Sequence, residues 1–263
     1  MVKGILILTS GKVSKLDAFP DVVDKGSFDD VWFDSENFFD LKQYKLIYFR
    51  MVGRSLEPAT LVAHYAVKNR IKIIDKIYET SLLMPLSLGK SIELKKLMDA
   101  NVPVPKTVFG RMDKLPYPFV VKSTSSQRGR EVWKVDNESM MKDLRSRMDK
   151  NKFYFAQEFI PNAERIRILV VGDKVLGAIK RQTKWNKDEM RETLNPIPKD
   201  VERLAFFATK ASGLDICGVD VLVDGAGKMW VIETNAAPSW KLINKYCGVV
   251  VENEIVKYLQ SQI

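Results

Sequence analysis

The stretch Ile216-Cys-Gly-Val-Asp-Val-Leu-Val223, followed after Asp224-Gly-Ala-Gly227 by Met229-Trp-Val-Ile-Glu-Thr-Asn235, decides the reading of this chain. Both halves are runs of β-branched and other apolar residues, and the glycine-containing segment between them is a turn, so the pair reads as a β-hairpin. Three polar residues interrupt it: Asp220, Glu233 and Asn235. Side chains alternate faces along a strand, which puts Glu233 and Asn235 on one side. An even-length turn would bring Asp220 to that side too. Two carboxylates held together repel unless a cation lies between them. Oxygen donors of this kind suit magnesium, which binds through few carboxylates plus substrate phosphates. The alternative is a structural network in which Asp220 and Glu233 pair with lysines.

Upstream, Ile166–Val171 and Val175–Lys180 form a second hairpin around Gly172-Asp173. A tight turn there pairs Val171 with Lys174, sets Arg167 opposite Ala178, and places Arg167 on the same sheet face as Lys180. Two cations on one face call for an anion, such as a phosphate, or else are relieved by solvent. Further upstream, Lys122 ends the apolar run from Phe119 and precedes Ser123-Thr-Ser-Ser-Gln-Arg-Gly-Arg130. A loop of small residues can close over phosphates through backbone N–H groups. It is not a Walker loop, because no Gly-Lys-Ser/Thr follows at the required spacing.

Around these motifs the pattern is regular. Gly4–Leu8, Val31–Phe33, Leu46–Phe49 and Ile71–Ile74 read as strands, with a helix over Leu56–Asn69, which together suggest a small parallel α/β sheet. Such sheets place ligands beyond the carboxyl ends of their strands, and Arg50 and Arg54 lie at one such end. Helices are expected over Lys90–Ala100, Glu138–Asp149 and Val201–Ser212, the last capped by Gly213, with a C-terminal helix closing the chain. Phe119–Lys122, Glu131–Val135 and Phe153–Phe159 read as further strands.

The 263 residues carry 46% hydrophobic and 29% charged residues, ordinary for a globular chain, and no apolar run approaches the roughly 20 residues of a membrane span. No signal peptide is visible, and the two cysteines, Cys217 and Cys247, form no disulfide framework, so the expected place is a reducing cytoplasm. The formal net charge of +9, from 42 Lys and Arg against 33 Asp and Glu, attracts acidic partners such as nucleotide phosphates, acidic peptides or nucleic acid, or is a solvated basic surface. The single histidine, His64, lies in a helix-like stretch and reads as structural, which argues against a histidine-dependent triad.

Taken in order, these motifs resemble the ATP-grasp superfamily, and within it the RimK-like carboxylate–amine ligases, over about Ser87 to Trp240. Gly218-Val-Asp220 with Val231-Ile-Glu233-Thr-Asn235-Ala-Ala-Pro-Ser is similar to the family's magnesium signature, which makes Asp220, Glu233 and Asn235 the metal ligands. The resemblance implies an α/β fold of α+β lobes: a small parallel α/β domain at 1–84, then an ATP-grasp region at 85–263, whose small ATP-binding lobe and lid fall in 85–160 and whose metal-bearing lobe spans 161–263. It implies ATP and Mg2+ as cofactors, with two ions and Mn2+ as a substitute. Arg167, Lys180 and Arg181 stand at the family's phosphate-facing, catalytic hairpin. Lys90, Lys122 and Gly129 of the lid match nucleotide contacts, Gln157, Glu158 and Phe159 match the adenine hinge, and Glu164 matches a ribose-binding carboxylate. The family often has an Asn and a Gly-Gly pair after the hairpin, whereas Gln182–Asp200 has no glycine; Arg191 and Asn195 are the remnants and, with Arg50 and Arg54, the expected substrate contacts.

The implied reaction has two steps. A carboxylate attacks the γ-phosphate of ATP to give an acyl phosphate, and an amine then displaces phosphate to give an amide. The substrates implied are an amino acid, peptide or protein, and the basic charge favours an acidic peptide over nucleic acid. The competing reading is an ATP-binding module without chemistry, acting through nucleic-acid or protein contacts; ADP release on addition of substrates separates the two.

Overall fold

The computed structural model describes residues 4–30, 41–80, 90–109, 112–124, 130–181, 183 and 192–263. The expected strand Val31–Phe33, most of the Ser123–Arg130 loop with Gly129, and Gln182 and Arg191 lie outside the described residues. The described chain forms three four-stranded sheets.

The first sheet is parallel throughout and has the order β2-β1-β3-β4, from β1 (Ile5–Thr9), β2 (Asp24–Ser27), β3 (Leu46–Met51) and β4 (Lys72–Ile74). Only β1 and β3 are fully apolar at their starts, as central strands buried on both faces require. The edge strand β2, Asp-Lys-Gly-Ser, has no apolar signal, which is why sequence patterning misses it. Helix α1 (Leu56–Lys68) covers one face through Val62, Ala63 and Ala66, with His64 exposed; the short α2 (Ile77–Thr80) follows β4.

The second sheet, β5-β8-β6-β7, is antiparallel and built from β5 (Thr107–Phe109), β6 (Phe119–Ser123), β7 (Val132–Val135) and β8 (Tyr154–Glu158). Helix α3 (Lys90–Asp99) leads into it, and α4 (Glu138–Arg147) packs on it through Met141 and Leu144, beside Phe119, Val121 and Ala156, in a core of its own. The Asn137 side chain caps α4 by accepting from the Met140 N–H at 3.0 Å.

The third sheet, β10-β9-β11-β12, is antiparallel: β9 (Glu164–Val171), β10 (Lys174–Arg181), β11 (Ile216–Val223) and β12 (Met229–Asn235). One face packs on α5 (Lys199–Ser212) through Val201, Ala205 and Ala208, in a core that continues into Leu8, Ile47 and Phe49 of the first sheet. The other joins Ile7 and Tyr48 of the first sheet, through Leu169 and Ile216, to Val251, Ile255 and Leu259. Each of these fully buried aliphatic side chains contributes on the order of 1.5–3 kcal/mol, so the first and third sheets are bound by the same hydrophobic effect that holds each together. Gly213 closes α5 in the left-handed conformation, as expected. The same device at Gly248 splits the expected single C-terminal helix into α6 (Lys241–Cys247) and α7 (Val251–Gln260).

Candidate active site

Asp220 of β11 lies directly opposite Glu233 of β12, and Gly218 opposite Asn235, so the three residues do share one sheet face. The reason differs from the even-length turn expected. The loop Asp224–Lys228 has five residues and alone would set Asp220 against Ile232; a β-bulge between Asp220 and Val221 shifts the register by one and restores the common face. Gly218 is required by what lies above it. A Cβ there would come within 2.7 Å of Pro238, in the segment that leaves Asn235 and crosses β11.

The expected register of the upstream hairpin is corrected by a similar feature. The turn does pair Val171 with Lys174, but a bulge between Val175 and Gly177 sets Arg167 opposite Ile179, not Ala178. Arg167 and Lys180 therefore occupy opposite faces. Arg165, Arg167 and Arg181 share the face of Asp220, while Lys180 forms ion pairs with Glu164 at 3.2 Å and Glu192 at 3.6 Å on the other. The two arginines clamp Asp220: Arg165 Nη2 donates at 2.6 Å, and Arg167 Nε and Nη2 donate at 2.8 and 2.5 Å. Asp220 is completely buried. Burial alone would raise its carboxyl, but the two guanidiniums outweigh burial and hold it below the ordinary range. Its partners are arginines rather than the lysines of the structural alternative.

This face lines a cleft of about 2450 Å3 between the second and third sheets, which also receives the carboxyl end of β3. Glu233, Asn235, Arg165, Arg167 and Arg181 line one wall. Lys90, Lys122 and Gln157 line another, and Glu158, Phe159 and Ile160 follow along the exit of β8. Lys122 Nζ donates to Gln157 Oε1 at 2.6 Å, and Gln157 Nε2 donates to Thr107 Oγ1 at 2.9 Å. Burial pushes the Lys122 ammonium down to about 8 against the opposing pull of Glu233, with Lys90 adding to the fall. Arg50 lies in the cleft wall, and is inside β3 rather than beyond its end. The exposed Arg54 pairs with Asp29 at 3.5 Å, and neither Arg54 nor the exposed Asn195 lines the cleft; Glu164 and Lys180 lie outside its lining as well.

Two residues escaped sequence reading. Arg165 is two positions from Arg167, so period-two alternation puts both on one face, a signal present in Glu164-Arg-Ile-Arg167. Glu93 stands one helical turn before Leu97, on the buried face of α3. Its Oε1 accepts from the Thr234 N–H and, at 3.0 Å, from the Thr234 hydroxyl, and it lines the cleft. Burial pushes its carboxyl up to about 8, the Thr234 N–H opposing and the nearby Glu233 adding to the rise.

Glu233 and Asn235 present the oxygen donors on the cleft side of this face, and oxygen donors of this kind fit magnesium, whereas Asp220 lies beneath them, outside the cleft lining, with both oxygens held by arginines. Glu233 is partly exposed to the cleft and forms no ion pair among the described residues, and the buried Asn235 Nδ2 has no hydrogen-bond partner. Acid groups and cations from two facing sheets therefore converge on one cleft. A family model for the RimK-like ATP-grasp domain matches residues 74–259, and the chain belongs to that family.

Among relatives, the chain is 29% identical over 197 residues to a probable alpha-L-glutamate ligase of Mannheimia succiniciproducens, covering 68% of this chain and 65% of the relative. It is 26% identical over 193 residues to human N-acetylaspartylglutamate synthase A, covering 66% and 49%. The chain thus spans about half to two thirds of the length of these curated relatives. Its fold is similar to the ATP-grasp ligase PsnB complexed with a minimal precursor, at a TM-score of 0.74, with 16% identity over 99% of this chain and 100% of that one. A RimK domain protein from Sphaerobacter thermophilus superposes at 0.67, with 17% identity over 97% and 99%. ATP-grasp ligases use ATP and magnesium, and another PsnB structure holds magnesium and ADP.

Proposed function

We propose that this chain is an ATP-dependent carboxylate–amine ligase, which forms an amide through an acyl phosphate. The observation that carries the reading is the single sheet face on which Asp220, Glu233 and Asn235 meet Arg165 and Arg167, opposite Lys122 across one cleft. Asp220, Glu233 and Asn235 would hold magnesium, as two ions with manganese as a substitute. When bound, the metal would supply charge neutralisation for the phosphates. Arg167, Lys122 and Lys90 bind the phosphates, and Arg165 takes the part that the shared-face expectation gave to Lys180. Arg181 lies on the same face and steadies the transferring group. Gly129 is retained only as the nucleotide contact that the family resemblance implies.

Glu158 and Phe159 carry the adenine contact at the exit of β8, and the buried Gln157 holds Lys122 in place. Glu164 serves the ribose only if it leaves Lys180. A carboxylate and a phosphate must approach one another in this cleft, and their mutual repulsion is the barrier that preorganised cations lower. The amine then needs only access to the acyl carbon, so no protein nucleophile enters the scheme. The substrates are an amino acid, peptide or protein bearing the carboxylate and the amine, with Arg191, Asn195 and Arg54 as candidate contacts. The two free cysteines accord with a reducing cytoplasm.

Thermal melting tests the nucleotide reading. ATP should raise the Tm more with magnesium than with a chelator, because a ligand stabilises the state to which it binds. Equal shifts in both conditions at saturating ATP would contradict it.

A further inference from the structure

The first sheet carries a topological switch point beside the cleft. Its order, β2-β1-β3-β4, reverses direction between β1 and β3: the chain leaves β1 toward one side and β3 toward the other. Parallel sheets bind ligands in the crevice outside the carboxyl ends of strands at such a point. Here the crevice is formed by Thr9-Ser10-Gly11 and Met51-Val52-Gly53, closed by the Ser10 N–H to Met51 carbonyl hydrogen bond of 2.7 Å. It opens into the ligase cleft, since Lys15, Phe19, Arg50 and Gly53 line the same space as Glu233 and Asn235.

Arg50 is the charge at this point. Its guanidinium stacks on Trp240 at 3.9 Å, and its Nη2 donates to the Pro238 carbonyl at 2.9 Å. Both partners belong to the segment that leaves the metal-ligand strand at Asn235, so Arg50 is fixed relative to Glu233 and Asn235. No described carboxylate lies within ion-pair distance of it, and its buried Nη1 has no hydrogen-bond partner. Glu252, the acid that influences it, is already occupied: Trp240 Nε1 donates to one oxygen at 2.5 Å and Asn244 Nδ2 to the other at 2.8 Å. A second cation stands nearby in the wall, Lys15, whose Nζ is held by the Ser10 carbonyl at 2.7 Å. A half-buried guanidinium without a counter-ion is costly to maintain, and its planar fork matches a carboxylate.

We propose that Arg50, assisted by Lys15, is a subsite for a substrate carboxylate other than the one activated by ATP. The proposal rests on the ligase reading, because it takes its ligand to be one end of a molecule whose other end reaches the phosphates. The carboxylate has two sources: the α-carboxylate of the amine substrate, or a second carboxylate of the acid substrate. Trp240 covers one side of the guanidinium, so the carboxylate approaches from the cleft, and the site selects ligands with a free carboxylate over their amides.

Calorimetric titration tests this in the presence of a non-hydrolysable ATP analogue and magnesium. The probes are L-glutamate, which carries a free amine, N-acetyl-L-glutamate, in which the amine is blocked, and the diamides of both. Wild type should bind at least one of the acids and neither diamide. Arg50→Lys, which keeps the charge and loses the fork, and Arg50→Gln should each weaken that acid by about tenfold or more. Loss confined to L-glutamate assigns the carboxylate of the amine substrate; loss confined to N-acetyl-L-glutamate assigns that of the acid substrate. Wild-type binding of the diamides as tight as the acids, unaltered affinity in Arg50→Lys, or no acid binding to wild type at millimolar concentrations would each overturn the proposal. The magnesium-dependent ATP melting shift, read on the same samples, keeps the two readings apart: its absence in wild type contradicts the ligase reading itself. Its presence beside unaltered acid affinity contradicts only the subsite. If Arg50→Gln does not fold, Arg50→Lys decides.

Discussion

Asp220 and Glu233 face each other across one strand pair and are unlike in what they carry. Asp220 bridges two guanidiniums from a fully buried position, whereas Glu233 is partly exposed and forms no ion pair among the described residues. Removing one partner of a buried ion pair leaves the other charges uncompensated, at a cost of about 3–5 kcal/mol. Asp220→Ala should therefore lower the free energy of unfolding by about that amount in urea, in the absence of nucleotide. Glu233→Gln is nearly isosteric and should leave apo stability unchanged while lowering turnover by about a hundredfold or more, through loss of a negative metal ligand. An undiminished rate in Glu233→Gln would remove the metal role from that residue, and a stable Asp220→Ala would remove the buried clamp. Period-two alternation made the shared face of Glu233 and Asn235 legible in the sequence, whereas Asp220 joins it through a bulge and not through the even-length turn expected. The arginine clamp was not legible in full, because which arginine faces Asp220 depends on bulges, and a bulge shifts register by one residue without leaving a compositional mark.

At the scale of elements, the joint between β4 and β11 carries an unusual acid. Asp75, just after β4, is completely buried; its Oδ1 accepts from the Asp215 and Ile216 N–H groups at 2.6 and 2.8 Å, and its Oδ2 has no partner. Burial pushes its carboxyl up to about 8 despite these two donors. A carboxyl raised in the folded state keeps a proton that the unfolded chain has released, so its stability contribution is present below about pH 4 and is lost as the pH rises toward about 8. Asp75→Asn retains the acceptor and removes the titration. The Tm difference between Asp75→Asn and wild type should grow in favour of the variant as pH rises from about 5 to about 8. Parallel pH profiles would show that Asp75 does not titrate in this range. The same direction applies to Glu93, which binds α3 to Thr234 between two candidate ligands. Strong apolar runs made β1, β3 and the β9–β12 sheet readable, and amphipathic spacing did the same for α5. The polar edge strand β2 and the break at Gly248 were not readable, because pairing with an existing sheet and a single left-handed glycine decide them after the chain has collapsed.

The whole molecule is two ATP-grasp sheets enclosing a cleft, with the parallel sheet closing one end through cores shared with the β9–β12 sheet. That arrangement brings the cations Lys122, Arg167 and Arg50 and the acid Glu233 to one cleft. The order of motifs along the chain made the family legible. The setting of Arg50 was not, since its partners Pro238 and Trp240 lie nearly two hundred positions away. The central claim is that a carboxylate is activated as an acyl phosphate in this cleft, and isotope transfer tests it most directly. A panel of acids labelled with oxygen-18 in the carboxylate, each paired with amino acids, is incubated with the protein, ATP and magnesium, and the products are weighed by mass spectrometry. The account predicts, for at least one pair, an amide, one ADP for each amide formed, and one labelled oxygen from the acid in the released phosphate. An amide formed with AMP instead of ADP, or phosphate released without the label, would contradict it.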